Sequence, residues 1–267
     1  DPGEVTCFCQ FCQAKAKERG INVDRTRQGF LELEKFVRSS RNGKRPLDGY
    51  YVQFWRLLLR YPELAAWEML WTDSLRETYS AIYKTVKTAK PAVPVGWHIW
   101  HNNSFNPIYR AEQDLHELSN CSDFIKVVMY NNCGGERMAL YVDNAGSTLY
   151  GDLSKQGLLD FNYAVMGFKE GGYEQIPHTG LSPDYVFRET KRALEGVAGT
   201  NTLIWPGIDI DIPTEASNSK CTSQSVKQAV LAALHAGAPG VILSRKYSEM
   251  RLADLSGAGD AIRESKS

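Results

Sequence analysis

From residue 94 onward the chain alternates short, apolar, β-rich runs with helical segments, and this rhythm constrains the fold more than any other feature. Pro94–His101 (PVGWHIWH) reads as a strand closed by the loop Asn102-Asn103-Ser104. Asn106-Pro107 is an N-cap and first-turn pair for a helix running to about Asn120. Phe124–Tyr130 (FIKVVMY), Thr202–Asp211 (TLIWPGIDID) and Gly240–Ser244 (GVILS) read as three further strands. The helices between them include one capped by Ser182-Pro183 and one over Ser225–Ala236, stopped by Gly237. Such alternation predicts a parallel sheet with crossover connections. The residues before 94 have helical spacing instead, over Gln28–Ser39 and from Tyr50 to about Lys90, with a break near Pro62.

Four strands are half of a (β/α)8 barrel, although 267 residues would suffice for a whole one. The sequence therefore predicts an α/β fold of TIM-barrel type with only the C-terminal half, strands 5–8, in this chain. No linker or repeat divides it. We read one domain overall, in which residues 1–48 carry a cysteine cluster and a helical segment and residues 49–267 carry the half-barrel. An isolated half-barrel exposes strand edges, so a companion N-terminal half-barrel polypeptide or self-association is expected. Lys+Arg and Asp+Glu both number 31, and this zero formal charge argues against a protein that works by neutralising nucleic-acid phosphates. No apolar run approaches the roughly 18–20 residues needed to span a bilayer, so no membrane partner is expected. The chain opens Asp1-Pro2-Gly3, which leaves the compartment (cytoplasm, periplasm or secreted) open.

Parallel α/β proteins gather their functional groups at the carboxyl ends of strands. Here those ends carry His98, Trp100 and His101, then Tyr130, Asn132 and Glu136, then Asp209 and Asp211, and finally Arg245, Tyr247 and Glu249. Alternation places Trp205, Gly207, Asp209 and Asp211 on one face of the third strand, and Ile204, Ile208 and Ile210 on the other. Aromatic platforms beside carboxylates and amides suit sugars, which stack their C–H faces on rings and offer hydroxyls to polar groups. Glycosidic cleavage needs two carboxyl groups, about 5–5.5 Å apart for retention or about 6.5–9.5 Å for inversion. Asp209, Asp211 and Glu249 are the catalytic candidates, and the remaining strand-end residues are candidates for substrate binding. The plainer reading makes the acids caps or ion-pair partners, the two histidines a hydrogen-bonded pair, and Asn132 and Glu136 loop formers. Trp55, Trp67 and Trp71, at helical spacing, are expected in a core.

Cys7-Phe8-Cys9-Gln10-Phe11-Cys12 is the sharpest local motif. Thiolates at this spacing can converge on zinc, but a structural site takes four ligands and only three are local. The fourth would be a distant cysteine or would lie upstream; reduced thiols or one disulfide are the alternatives.

With these residues in view, the chain resembles the family 42 β-galactosidases of glycoside hydrolase clan A, through its C-x-C-x-x-C cluster ahead of barrel strands. The runs VGWHIWHNNSF, VVMYNNCGGERM, WPGIDIDIP and VILSRKYSEM are also similar to uncharacterised bacterial proteins with a glycosidase-like barrel. The resemblance implies that strands one to four precede Asp1, with the acid/base carboxylate and a further zinc-binding cysteine encoded there. It implies that TLIWPGIDID is strand seven and that Asp209 or Asp211 stands on the nucleophile side, where the clan uses Glu. A glycoside hydrolase-like protein acting on or binding carbohydrate is the expectation; a non-catalytic carbohydrate-binding or scaffold protein on a degenerate barrel is the alternative.

Overall fold

The computed structural model describes residues 6–213 and 221–266, without the side chain of Tyr247. The chain divides into two compact units, Asp1–Thr78 with Val142–Leu158, and Tyr79–Tyr141 with Leu159–Ser267.

Helices build the first unit: α1 (Gln10–Glu18), α2 (Val23–Arg41), α3 (Tyr50–Arg60) and the first part of α4 (Glu63–Ala89). Asn22 starts α2 by accepting a hydrogen bond from the Arg25 N–H at 3.1 Å. The apolar stripes of these helices meet in a core of Ala16, Val23, Phe30, Phe36, Tyr50, Leu57, Leu64, Trp67 and Leu70. Of the three tryptophans expected in a core, only Trp67 is there; Trp55 and Trp71 are both 48% exposed. They lie on other faces of their helices, and helical spacing alone does not say which face is covered.

The second unit holds the strands β1 (Gly96–Ile99), β2 (Phe124–Val127), β3 (Leu203–Ile204), β4 (Gly207–Asp209) and β5 (Ile242–Ser244). Between and after them run α5 (Pro107–Glu112), α6 (Leu115–Ser119), α7 (Gly134–Gly146), α8 (Lys155–Met166), α9 (Ile176–Thr179), α10 (Pro183–Gly196), α11 (Ser223–His235) and α12 (Leu252–Glu264). The first parts of α7 and α8 fall, respectively, in the second and first units. The single helix expected after Asn106 is two, because Asp114 begins a new turn by accepting from the His116 and Glu117 N–H groups. Ser182 caps α10, and Thr222 with Ser225 forms a capping box on α11.

All strand pairs are parallel, in the order β1-β2-β3 and β4-β5, and the isolated bridge Val128↔Gly207 links the two patches. These are small sheets in a mostly helical chain. The TIM-barrel reading, whole or half, is corrected by this: five strands of two to four residues are present among the described residues and no barrel closes. The physical reason lies partly in Pro206. It brings no N–H to the ladder and splits the expected third strand into β3 and β4.

One face of the strands is packed tight. Ile99, Ile125, Val127, Ile204, Ile208 and Ile210 are all at most 5% exposed. The opposite face carries Gly96, His98, Phe124, Lys126, Val128, Trp205, Gly207, Asp209 and Ser244, of which His98 is exposed, Phe124, Lys126, Trp205 and Ser244 are half-buried, and Val128, Gly207 and Asp209 are buried. Phe124 and Trp205 stack there at 4.5 Å. Gly96 is required beside them, since a Cβ would stand 2.4 Å from the Phe124 ring.

Helices α11 and α12 pack closely through Gly257, where a Cβ would lie 2.1 Å from the Ser223 carbonyl oxygen. A backbone atom cannot swing aside as a side chain can. Gly257→Ala is therefore expected to destabilise the protein by about 1–3 kcal/mol, read as a lower urea midpoint with unchanged slope; an unchanged midpoint would contradict this packing.

Candidate functional site

The carboxyl ends of β1 and β2 bring several expected residues together. His101 follows β1 in a short 3-10 turn and is buried against Phe105, with ring centroids 4.4 Å apart. Its Nδ1 accepts from Arg137 Nη1 at 3.2 Å, which leaves Nε2 as the donor to Tyr185 Oη at 3.0 Å. Burial, and then the Arg137 charge, hold the His101 pKa well below its usual value, so the ring is neutral. Tyr130 packs edge-on to His101 at 5.7 Å and has the Arg137 guanidinium 5.6 Å from its ring centroid.

Lys126 lies in the middle of β2. Its Nζ donates to Ser244 Oγ at 2.7 Å and to Tyr130 Oη at 3.2 Å, and stands 5.6 Å from the Tyr130 ring centroid. Gly207 makes room for it, since a Cβ there would meet Lys126 Cε at 2.8 Å. His98 pairs in register with Lys126. Partial burial, then the lysine charge, lower its pKa. Trp100 projects away, 73% exposed.

The three carboxylates expected to be catalytic are each engaged elsewhere. Asp209 is buried at the end of β4, where it accepts from the Cys133 N–H at 2.8 Å and from the Asn132 N–H and Nδ2, both at 3.2 Å. It therefore serves as a remote cap for the turn that starts α7. Burial pushes its carboxyl up in spite of those bonds. Asp211 lies past the strand, with φ +55°, so strand alternation no longer applies to it. It accepts from the Arg251 N–H at 2.9 Å and from Arg251 Nε at 3.0 Å. Burial opposes its ionisation, but Arg251 prevails and the pKa is lowered. Glu249 is paired with Arg245 in a short surface bridge. Glu136 is buried in the first turn of α7. The backbone of Tyr247 opens the 3-10 turn Tyr247–Glu249, while its side chain lies outside the description.

Sequence reasoning passed over several residues. A charge inside an apolar strand is unusual, and Lys126 in FIKVVMY carried that signal. Arg137, Tyr185 and Arg251 gave none, because their roles depend on which elements meet. Glu189, buried on α10, is bound by Ser104 Oγ at 2.8 Å, Arg110 at 2.8 Å and Arg192 at 3.1 Å, and it braces the loop after β1 from behind.

Two side-chain groups could hold a metal ion. In the first unit, Cys7, Cys9 and Cys12 bring their sulfur atoms within 4.8 Å of one another. The placement follows from Phe8, which stacks on Trp67 at 4.5 Å and lies edge-on to Phe30. With Phe8 turned into the core, its neighbours Cys7 and Cys9 turn outward and are exposed. Cys9 is the N-cap of α1. A hydrogen bond from the Cys12 backbone, then one from the Cys7 thiol, bring the Cys9 pKa down to about 7. Burial and the bonds to its neighbours push Cys12 up to about 12. The second group, Asp211, Cys221 and Asp254, has Arg251 across it, with Nη2 2.8 Å from an oxygen of each carboxylate, so a guanidinium already supplies the positive charge.

Comparison with protein-family models, curated proteins and solved structures finds no match. With no barrel in the fold and no relative in any comparison, the resemblance to clan A and family 42 glycoside hydrolases is not upheld.

The neutral, buried His101 makes a pH prediction. Above pH 6.5, the ordinary histidine value, it adds no proton linkage. Below it the unfolded chain binds a proton that folded His101 refuses, so stability falls with acid, at up to about 1.4 kcal/mol per pH unit. Urea unfolding at pH 7, 6 and 5 should show a steeper loss for the native chain than for His101→Gln; equal slopes would refute the neutral buried ring.

Proposed function

We propose that this protein binds carbohydrate on the open face and carboxyl ends of its parallel strands, without hydrolysing it. The observation that carries the reading is the two-sidedness of those strands. One face is sealed by isoleucine and valine, while the other presents Phe124, Trp205 and His98 beside the half-buried hydroxyl of Ser244 and ammonium of Lys126, with Tyr130 buried next to that ammonium. Stacking surface beside convergent donors is what a sugar ring requires. The engagement of Asp209, Asp211 and Glu249 with their own partners favours binding over cleavage, which needs two carboxyl groups facing the scissile bond. Calorimetry with a panel of mono- and oligosaccharides, run beside aryl glycoside assays, tests this. Saturable binding with no turnover is expected. Absence of binding would refute the proposal, and turnover abolished by Asp211→Asn would replace it with catalysis.

A second reading concerns the first unit. We propose that Cys7, Cys9 and Cys12 supply three of the four ligands of a structural zinc, supported by the convergence of their sulfur atoms and the lowered pKa of Cys9. Cobalt(II) should bind one per chain with thiolate charge-transfer absorption. Cys9→Ser and Cys12→Ser should each weaken zinc at least tenfold; zinc affinity unaffected by both would exclude the cluster.

A further inference from the structure

The open face carries cations that, among the described residues, have no carboxylate partner. Lys126 spends two of its three N–H donors on neutral oxygens, those of Tyr130 and Ser244. Arg137 is bonded to the neutral ring of His101. Among the described residues neither cation forms an ion pair with a carboxylate, although other cations do, including Arg251, Arg110 and Arg192. Asp209 is taken up by the Asn132 and Cys133 N–H groups. Each cation stands 5.6 Å from the centroid of the Tyr130 ring. Both are partly buried, so water screens them less than it would at the surface.

We propose that Lys126 and Arg137 form an anion site, and that the sugar bound on this face carries a negative group, a carboxylate or a phosphate. The sugar half of this inference rests on the carbohydrate reading above; the anion half stands on the two cations alone. The guanidinium of Arg137 offers a planar fork to paired oxygens, and the ammonium of Lys126 supplies a point charge with one free donor. Phe124 and Trp205, stacked beside Lys126 on the same face, would take the ring of the sugar. His98, held toward its neutral form, adds a donor or acceptor without adding charge.

Titration calorimetry of the whole chain with glucuronate, glucose 6-phosphate, glucose and inorganic phosphate tests the inference. At least one acidic sugar should bind about tenfold or more tightly than glucose, and added salt should shrink the difference. Lys126→Met and Arg137→Gln should each cost the acidic sugar about tenfold more than they cost glucose, whereas Lys126→Arg should keep most of the affinity. The salt dependence needs no variant, so it decides the matter even where a substitution unfolds the protein. Equal binding of acidic sugars and glucose, insensitive to salt and to the variants, overturns the anion site and leaves the carbohydrate reading standing. Binding of inorganic phosphate that is lost in Lys126→Met, with no sugar bound, keeps the anion site and overturns the carbohydrate reading. Absence of binding by all four probes overturns both.

Discussion

The account rests on a difference between the two faces of one set of short parallel strands. Parallel sheets usually bury both faces, and their strands then read as unbroken apolar runs. Here alternate residues diverge. Ile125 and Val127 are closed into the core, while Phe124 and Lys126, which alternate with them, stay half-buried on the other side. Each sealed aliphatic side chain contributes about 1.5–3 kcal/mol. Those residues fix the register, and the register fixes what the opposite face displays. A slip of one residue would bury Lys126 and expose isoleucine. The proposed site is thus a by-product of how the core is built.

Electrostatics then sorts the polar groups at the strand ends. Buried charge is tolerated when it is paired or fully hydrogen-bonded. Asp209 meets that demand through the N–H groups ahead of α7, and Glu189 through Arg110, Arg192 and Ser104. Asp211 and Asp254 share Arg251. What remains after this sorting is cationic, at Lys126 and Arg137. Acids that looked like chemistry in the sequence hold the scaffold together, and the groups left for a ligand are ones that donate.

The strand positions were legible because β-rich apolar runs bounded by polar turns have few other readings: β1, β2 and β5 fall inside the runs that predicted them. The step from four runs to half a barrel was not legible. Strand length and closure depend on ladder bonds, and Pro206 withdraws one in the middle of TLIWPGIDID. Asp211 failed for a local reason. Alternation was extended one pair beyond the end of β4, into a residue with left-handed backbone. Lys126 was visible as an oddity, but its partner Ser244 lies 118 positions away in sequence. The cysteine spacing was plain, whereas the role of Phe8 in turning those thiols outward needed its stacking on Trp67.

The most direct measurement compares two tryptophans by NMR. Trp97 belongs to the covered side, stacked on Tyr79 with its Nε1 donating to the Cys121 carbonyl at 2.7 Å. Trp205 stands on the open side against Phe124. With the indole N–H resonances assigned, titration with glucuronate or glucose 6-phosphate should shift the Trp205 signal progressively to saturation and leave Trp97 in place. A shift confined to Trp97, or no shift at either at saturating ligand, would contradict a binding face on that side of the strands.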